Sequence, residues 1–194
     1  MKKLLITGFE PFGGEDCNPS WDAVSMLPDQ IGSYMVVKTR LPVVFGKSSA
    51  ILKNLAEAIR PDVIICVGQA GGRGAITPEF MAFNIRHSYT SDNDGFCPDH
   101  ESIVESGDSA YYSTLPIKKM TCAINEAGIP AEISYSAGTF VCNELFYSML
   151  YSFRSSNFGI GFIHVPYSKC QNKEPSMDIE RIANALQIAI ENLD

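Results

Sequence analysis

Apolar residues recur along the chain in two alternating rhythms, short unbroken runs and stretches with helical spacing. Lys2 to Thr7 is a β-rich run ending at Gly8, Tyr34 to Leu41 is a second, and Asp62-Val-Ile-Ile-Cys-Val67 is a third. The unbroken apolar character of the third predicts a strand covered on both faces. Further strands are predicted at Met81 to Ile85, Ala131 to Tyr135 and Ile160 to Val165, the last closed by Pro166. Helices fall between them. Asn18-Pro19 reads as an N-cap with proline at the first helical position, followed by Trp21, Val24, Met26 and Leu27. Lys47 to Arg60 carries Ile51, Leu52, Leu55 and Ile59 on one face and is stopped by Pro61. Leu115 to Glu126 ends at Gly128 and Pro130, Glu144 to Tyr151 follows a loop of small residues, and Met177 to Leu193 is a closing amphipathic helix. Strands alternating with helices, without repeats or a linker, predict an α/β chain. The expected form is a single-domain, three-layer αβα sandwich over residues 1–194, around a mostly parallel, mixed sheet.

Residues 87–110 break the rhythm, with Asp92-Asn-Asp-Gly95 marking a tight turn. A patternless stretch of that length in a small domain predicts a functional loop or lid. Composition narrows the picture: 45% hydrophobic and 19% charged residues in 194 suit one ordinary globular core. A formal charge of −7 without clustered Lys and Arg argues against a nucleic-acid or anionic-membrane binder. The basic start Met1-Lys-Lys3 precedes too short an apolar run for a secretion signal, and no window approaches the roughly 18 apolar residues of a membrane span. Cys17, Cys66, Cys97, Cys122, Cys142 and Cys170 then read as reduced thiols, and they form no CxxC or CxxxxH cluster that points to structural zinc.

In sheets of this type, ligand sites gather beyond the carboxyl ends of the strands, where Phe9, Phe12, Gln69, Glu79, Cys142 and His164 fall. Cys142 arrives after a loop of small residues at the start of a helical run. Free N–H groups and the helix dipole there favour thiolate, so Cys142 is expected to be alkylated near neutral pH faster than the other five cysteines. Taken alone, the stretch also suits a small buried hydrophobe. His164 alone among three histidines ends an apolar strand, either as a hydrogen-bonded core residue or as a base able to pair with Cys142. His87 and His100 lie in or near the irregular segment. Glu79, after Pro78, reads by itself as a solvated turn carboxylate. Neither glycine-rich loop, Gly8 to Gly14 or Gly68 to Gly74, matches a phosphate-binding pattern.

Four blocks together carry a resemblance: Thr7-Gly-Phe-Glu-Pro-Phe-Gly-Gly14 with Asn18-Pro-Ser-Trp21; Gly68-Gln-Ala-Gly-Gly-Arg73 with Ile76-Thr-Pro-Glu79; Ser136-Ala-Gly-Thr-Phe-Val-Cys-Asn143; and Gly161-Phe-Ile-His-Val-Pro166. In order and spacing the chain resembles the type I pyroglutamyl peptidases, the pyrrolidone-carboxylate peptidase family of cysteine peptidases. The resemblance implies an αβα fold, no metal or cofactor, a cytoplasmic enzyme and commonly a homotetramer. It implies Cys142 as nucleophile, His164 as general base and later acid, and Glu79 as the carboxylate that orients His164. The implied partners are N-terminally pyroglutamylated peptides, cleaved through a thioester acyl-enzyme. Pyroglutamate (5-oxoproline) is neutral, so its slot should be apolar and free of a carboxylate for an amine. Phe9, Phe12, Phe140 and Val141 match the family's pocket positions. The lactam N–H and C=O are expected to meet backbone near Gln69 and Phe140 and the side chain of Asn18.

Three departures from the family's pattern stand out. Phe80 replaces an Arg after Glu79, Tyr89 and Thr90 replace an Arg–apolar pair associated with oxyanion support, and Ser168-Lys-Cys-Gln171 replaces Leu-Pro-Glu-Gln. With a hydrogen bond from Tyr89, or positive charge from Arg73 or Arg86, in its place, slower catalysis rather than none is expected. An amidase for another N-blocked residue and a pyroglutamyl-peptide binding protein with weakened catalysis are the alternatives.

Overall fold

The computed structural model describes all 194 residues. At its centre runs β1 (Lys2–Phe9), where Leu4, Leu5 and Ile6 are all fully buried, as expected of a strand with helices on both faces. α1 (Pro19–Met26) follows, capped by Asn18, whose side chain accepts from the Ser20 N–H. After the short β2 (Gln30–Ile31) come β3 (Tyr34–Leu41), α2 (Lys47–Ile59) and β4 (Val63–Gln69). The second half holds β5 (Thr77–Pro78), β6 (Met81–Phe83), β7 (Ala110–Tyr112), α3 (Ile117–Glu126), α4 (Val141–Ser152), β8 (Gly159–Val165), β9 (Tyr167–Ser168), β10 (Ser176–Met177) and α5 (Ile179–Glu191).

Six strands form the main sheet in the order β2-β3-β1-β4-β8-β5. The four central ones are parallel, and the two-residue edges β2 and β5 are antiparallel to their neighbours. Alternate residues point to opposite faces, so Leu4, Ile6, Val63, Ile65 and Val67 pack with α1, α3 and α5. Leu5, Phe9, Ile64, Cys66 and Phe162 pack with α2 and α4. This is the predicted three-layer sandwich. Each large aliphatic side chain so buried contributes about 1.5–3 kcal/mol.

Local chemistry sets the element ends. α2 stops where Arg60 takes a left-handed conformation (φ 49°) before Pro61, and α3 stops before Gly128 (φ 76°). Several predicted boundaries shift. Residues 131–135 are not a regular strand: they make two isolated parallel bridges, Ala131 to Ile76 and Ser134 to Glu79, because the adjacent edge β5 is two residues long and includes a proline. The strand expected at 81–85 shortens to β6, which pairs with β7 away from the main sheet. Met177 lies in β10, and the closing helix starts behind Asp178.

Residues 84–109 hold no helix or named strand, although Arg86 and Glu101 form an antiparallel bridge. Asp92 organises the turn, its Oδ1 accepting from the N–H groups of Asp94 and Phe96 at 3.0 and 2.9 Å. Its Oδ2 accepts from the Phe45 N–H at 2.9 Å, which seats the turn beside α2.

Candidate active site

The carboxyl ends of β4 and β8 lie side by side, with Gly68 paired to His164 in register. On its other side His164 pairs with Thr77 of β5. Two residues further, the Glu79 N–H donates to the Phe162 carbonyl at 2.8 Å, and the Glu79 side chain turns back to the sheet. Its Oε1 receives the His164 Nδ1 proton at 2.7 Å, with Glu79 fully buried and His164 4% exposed. The reading of Glu79 as a solvated turn carboxylate is therefore set aside by the antiparallel edge strand that carries it inward. Arg73 completes the cluster: Nη1 donates to Glu79 Oε1 and Thr77 Oγ1 at 2.7 and 2.8 Å, and Nη2 to the Ser136 carbonyl at 3.1 Å.

Cys142 comes from the opposite layer, at the second residue of α4. Phe140 caps that helix with extended backbone and no side-chain bond, so the first N–H groups stay free of a cap. The Cys142 sulfur reaches over Gly68, where an added Cβ would stand 2.9 Å from Sγ and 2.8 Å from Phe162 Cζ. Glycine at 68 thus makes room for the sulfur above the strand residue that pairs with His164.

Both side chains line one cavity of about 190 Å³, and so do Phe9, Phe12, Asn18, Gln69, Phe140 and Val141. Of the catalytic and pocket residues expected from the sequence, only Glu79 stays behind the cavity wall, reaching it through His164. The sequence reading missed Val43, Ala70, Ala137 and Gly138, which complete the lining with Arg73. The Pro42-Val-Val-Phe45 run beyond the carboxyl end of β3 was the available signal for Val43. Phe140 packs edge-on to Phe45, ring centres 5.2 Å apart, and faces Phe12 at 6.3 Å. No carboxylate lines the cavity.

Asn18 is heavily committed. Its Oδ1 accepts from both the N–H and Oγ of Ser20, and its Nδ2 donates to the Glu10 carbonyl at 2.9 Å, leaving one N–H for a ligand. Gly8 permits the close approach of α1 that puts it there, since a Cβ on Gly8 would meet the Trp21 backbone at 2.5 Å. Gln69 Oε1 is held by Gln171 Nε2 at 3.0 Å.

Electrostatics revise one expectation. Burial pushes the Cys142 thiol up to about 12, and the Glu79 carboxylate adds to the rise; Arg73 and the residue's own N–H oppose it with smaller effect. The helix N-terminus acts in the predicted direction and loses to desolvation. Burial also depresses His164 below its usual value, against the opposing pull of Glu79, so the ring is neutral at pH 7. For Glu79, burial raises the carboxyl, but His164 first, then Ser134 and Arg73, together outweigh it and the net displacement is downward. The resting cluster is thus a thiol, a neutral imidazole with its Nδ1 proton on Glu79, and a carboxylate.

The substituted positions lie elsewhere. Tyr89 is 93% exposed and packs edge-on to His87, so it does not reach the cavity. Arg86 pairs with Glu101 and covers the Phe96 ring. Phe80 faces outward against Tyr112 and Tyr135. Arg73 alone of the proposed cations stands at the site.

An αβα sandwich that presents a thiol, a carboxylate-held imidazole and an apolar cavity at its strand ends defines a cysteine-type hydrolase. The family model described as pyroglutamyl peptidase matches residues 2–194. A pyrrolidone-carboxylate peptidase of Thermosipho africanus is 50% identical, covering 97% of this chain and 95% of the relative. The crystal structure of Bacillus amyloliquefaciens pyroglutamyl peptidase I superposes with a TM-score of 0.95 at 44% identity, over 100% of this chain and 97% of that one. Pyrrolidone carboxyl peptidase from Thermococcus litoralis does so at 0.96 and 39% identity, over 100% and 93%. The chain belongs to the pyroglutamyl peptidase family.

Proposed function

We propose that this chain is a cysteine-type omega-peptidase, one catalytic domain over residues 1–194, which releases pyroglutamate from the N-terminus of peptides. The observation that carries the reading is that Cys142 and the Glu79-held His164 line one apolar cavity with no carboxylate for a substrate amine.

Cys142 Sγ attacks the exocyclic carbonyl of the pyroglutamyl residue while its proton passes to His164 Nε2. With the imidazole neutral beforehand, Nε2 is a free base, and Glu79 supports the charge that the ring acquires. The Cys142 N–H is the candidate donor to the tetrahedral oxyanion, a role worth about 3–4 kcal/mol. His164 then protonates the departing amine, giving a thioester, and next draws a proton from the water that hydrolyses it. The lactam ring stays intact throughout. Phe9, Phe12, Phe140 and Val141 supply its apolar walls; the spare Asn18 N–H and backbone near Gln69 and Phe140 meet its polar atoms.

Specificity for a different blocked residue draws no support from Phe80 or Tyr89, whose side chains turn away from the cavity. A binding role without turnover would keep the cavity and leave the anilide uncut. A cytoplasmic homotetramer accompanies the proposal on the strength of the family resemblance, with light scattering of the purified chain as its test for assembly. No helix is long and apolar enough to cross a membrane. The deciding assay is hydrolysis of a pyroglutamyl anilide by the wild type and by Cys142→Ala: turnover by the first and none by the second is expected. Equal turnover by both refutes the assignment.

A further inference from the structure

Outside the cavity, two cysteines that take no part in this chemistry meet across the fold. Cys17 sits in the loop before α1, and Cys170 in the short 3-10 turn Lys169–Gln171 after β9. Their sulfurs are 2.7 Å apart, although the residues are separated by 153 positions. Cys170 is exposed and Cys17 partly so, whereas Cys66 is buried in the core. Both arms are already held together around the pair. Gln171 Nε2 lies 3.4 Å from Glu15 Oε2, Lys173 pairs with Glu15, and a capping box between Ser168 and Gln171 fixes the turn that presents Cys170. Cys170 also belongs to the Ser168-Lys-Cys-Gln171 segment that departs from the family's pattern.

We infer that Cys17 and Cys170 are a dithiol modification site that closes to a disulfide by exchange with a low-molecular-weight disulfide such as oxidised glutathione. The exposed Cys170, as thiolate, attacks one sulfur of the oxidant and expels the first thiolate, leaving a mixed disulfide. Cys17 then loses its proton to solvent, attacks the Cys170 sulfur and releases the second thiolate. Two protein thiols are oxidised, the oxidant is reduced to two thiols, and the two protons are taken up by the leaving thiolates. The two sulfurs already lie in contact before the exchange begins. Burial first, then the neighbouring Cys170, push the Cys17 thiol up to about 12, which makes its step the slow one.

The bond fastens the two walls that carry Asn18 on one arm and, through Gln171, Gln69 on the other. It spans most of the chain, the arrangement in which a crosslink restricts the unfolded state most. Cys142 stands apart, recessed and protonated, so closure leaves the nucleophile untouched.

The test equilibrates the full chain in graded ratios of oxidised to reduced glutathione, followed by denaturing alkylation and peptide mass mapping. A Cys17–Cys170 linked peptide with Cys142 alkylated is expected, together with a rise in Tm of about 5–10 °C for the oxidised over the reduced protein. Cys17→Ser and Cys170→Ser should each abolish the linkage and the redox-dependent rise while retaining wild-type hydrolysis of the anilide. Three results overturn the inference: no linkage at any ratio, a mixed disulfide that persists on Cys170 beside a free Cys17, or linkage through Cys142.

Discussion

The middle of β4 and the first turn of α4 each present a cysteine, and burial pushes both thiols up to about 12. Cys66 lies fully enclosed between the sheet and its helical layer, with the Thr7 hydroxyl as the polar neighbour that pulls its pKa down. Cys142 opens onto a cavity that His164 also lines. Acidity therefore does not separate the two. What distinguishes the second is the cavity it shares with His164; in the proposed mechanism His164 is its base, and the helix N-terminus aims the sulfur and offers an N–H to the developing oxyanion.

That contrast can be broken at several points. The largest effect belongs to Cys142→Ala, which should lower kcat/KM by about 10⁴-fold or more in an anilide assay with the fold retained by circular dichroism. Glu79→Gln leaves the imidazole without its anionic partner and should cost about 10²–10⁴-fold in kcat, with KM little changed. Gly68→Ala puts a methyl group against Sγ and the Phe162 ring; a loss of about 10–100-fold in rate and about 1–3 kcal/mol in denaturant stability is expected. Arg73→Met removes a charge that depresses His164, so the acid limb of the kcat/KM profile should move to higher pH. Wild type itself should show that limb below pH 6.5, because the rate requires the neutral ring and His164 sits beneath its ordinary 6.5. The smallest effect falls on Cys66→Ala: turnover within about twofold of wild type, and about 1–2 kcal/mol less stability, measured by urea unfolding.

Much of this was legible in the chain. The apolar runs at 2–7, 34–41, 62–67 and 160–165 became β1, β3, β4 and β8, since a strand buried on both faces announces itself by composition. Asn18-Pro19 started α1 as expected, because capping is a local property. Long-range pairing was not legible. β5 is two residues long, and nothing near Glu79 indicates that its backbone will pair with Phe162 and turn its carboxylate inward. Bottom-up reading found the sulfur and the imidazole, and the family resemblance supplied the carboxylate. The saturation of Asn18 by its own cap was also hidden, as was the inward course of Arg73. The protonation state of Cys142 was misjudged for a physical reason: a sequence reveals the helix start that favours thiolate, but not the depth of burial that opposes it.

The central claim is that Cys142 rests as a thiol and becomes a nucleophile only as His164 takes its proton. Thiolate absorbance, compared between wild type and Cys142→Ala from about pH 6 to 9, tests this directly. The account predicts no difference in thiolate signal across that range while the wild type turns over substrate. A wild-type thiolate that titrates near neutrality and vanishes in the mutant would contradict it, and would assign the reactivity to a standing thiolate–imidazolium pair.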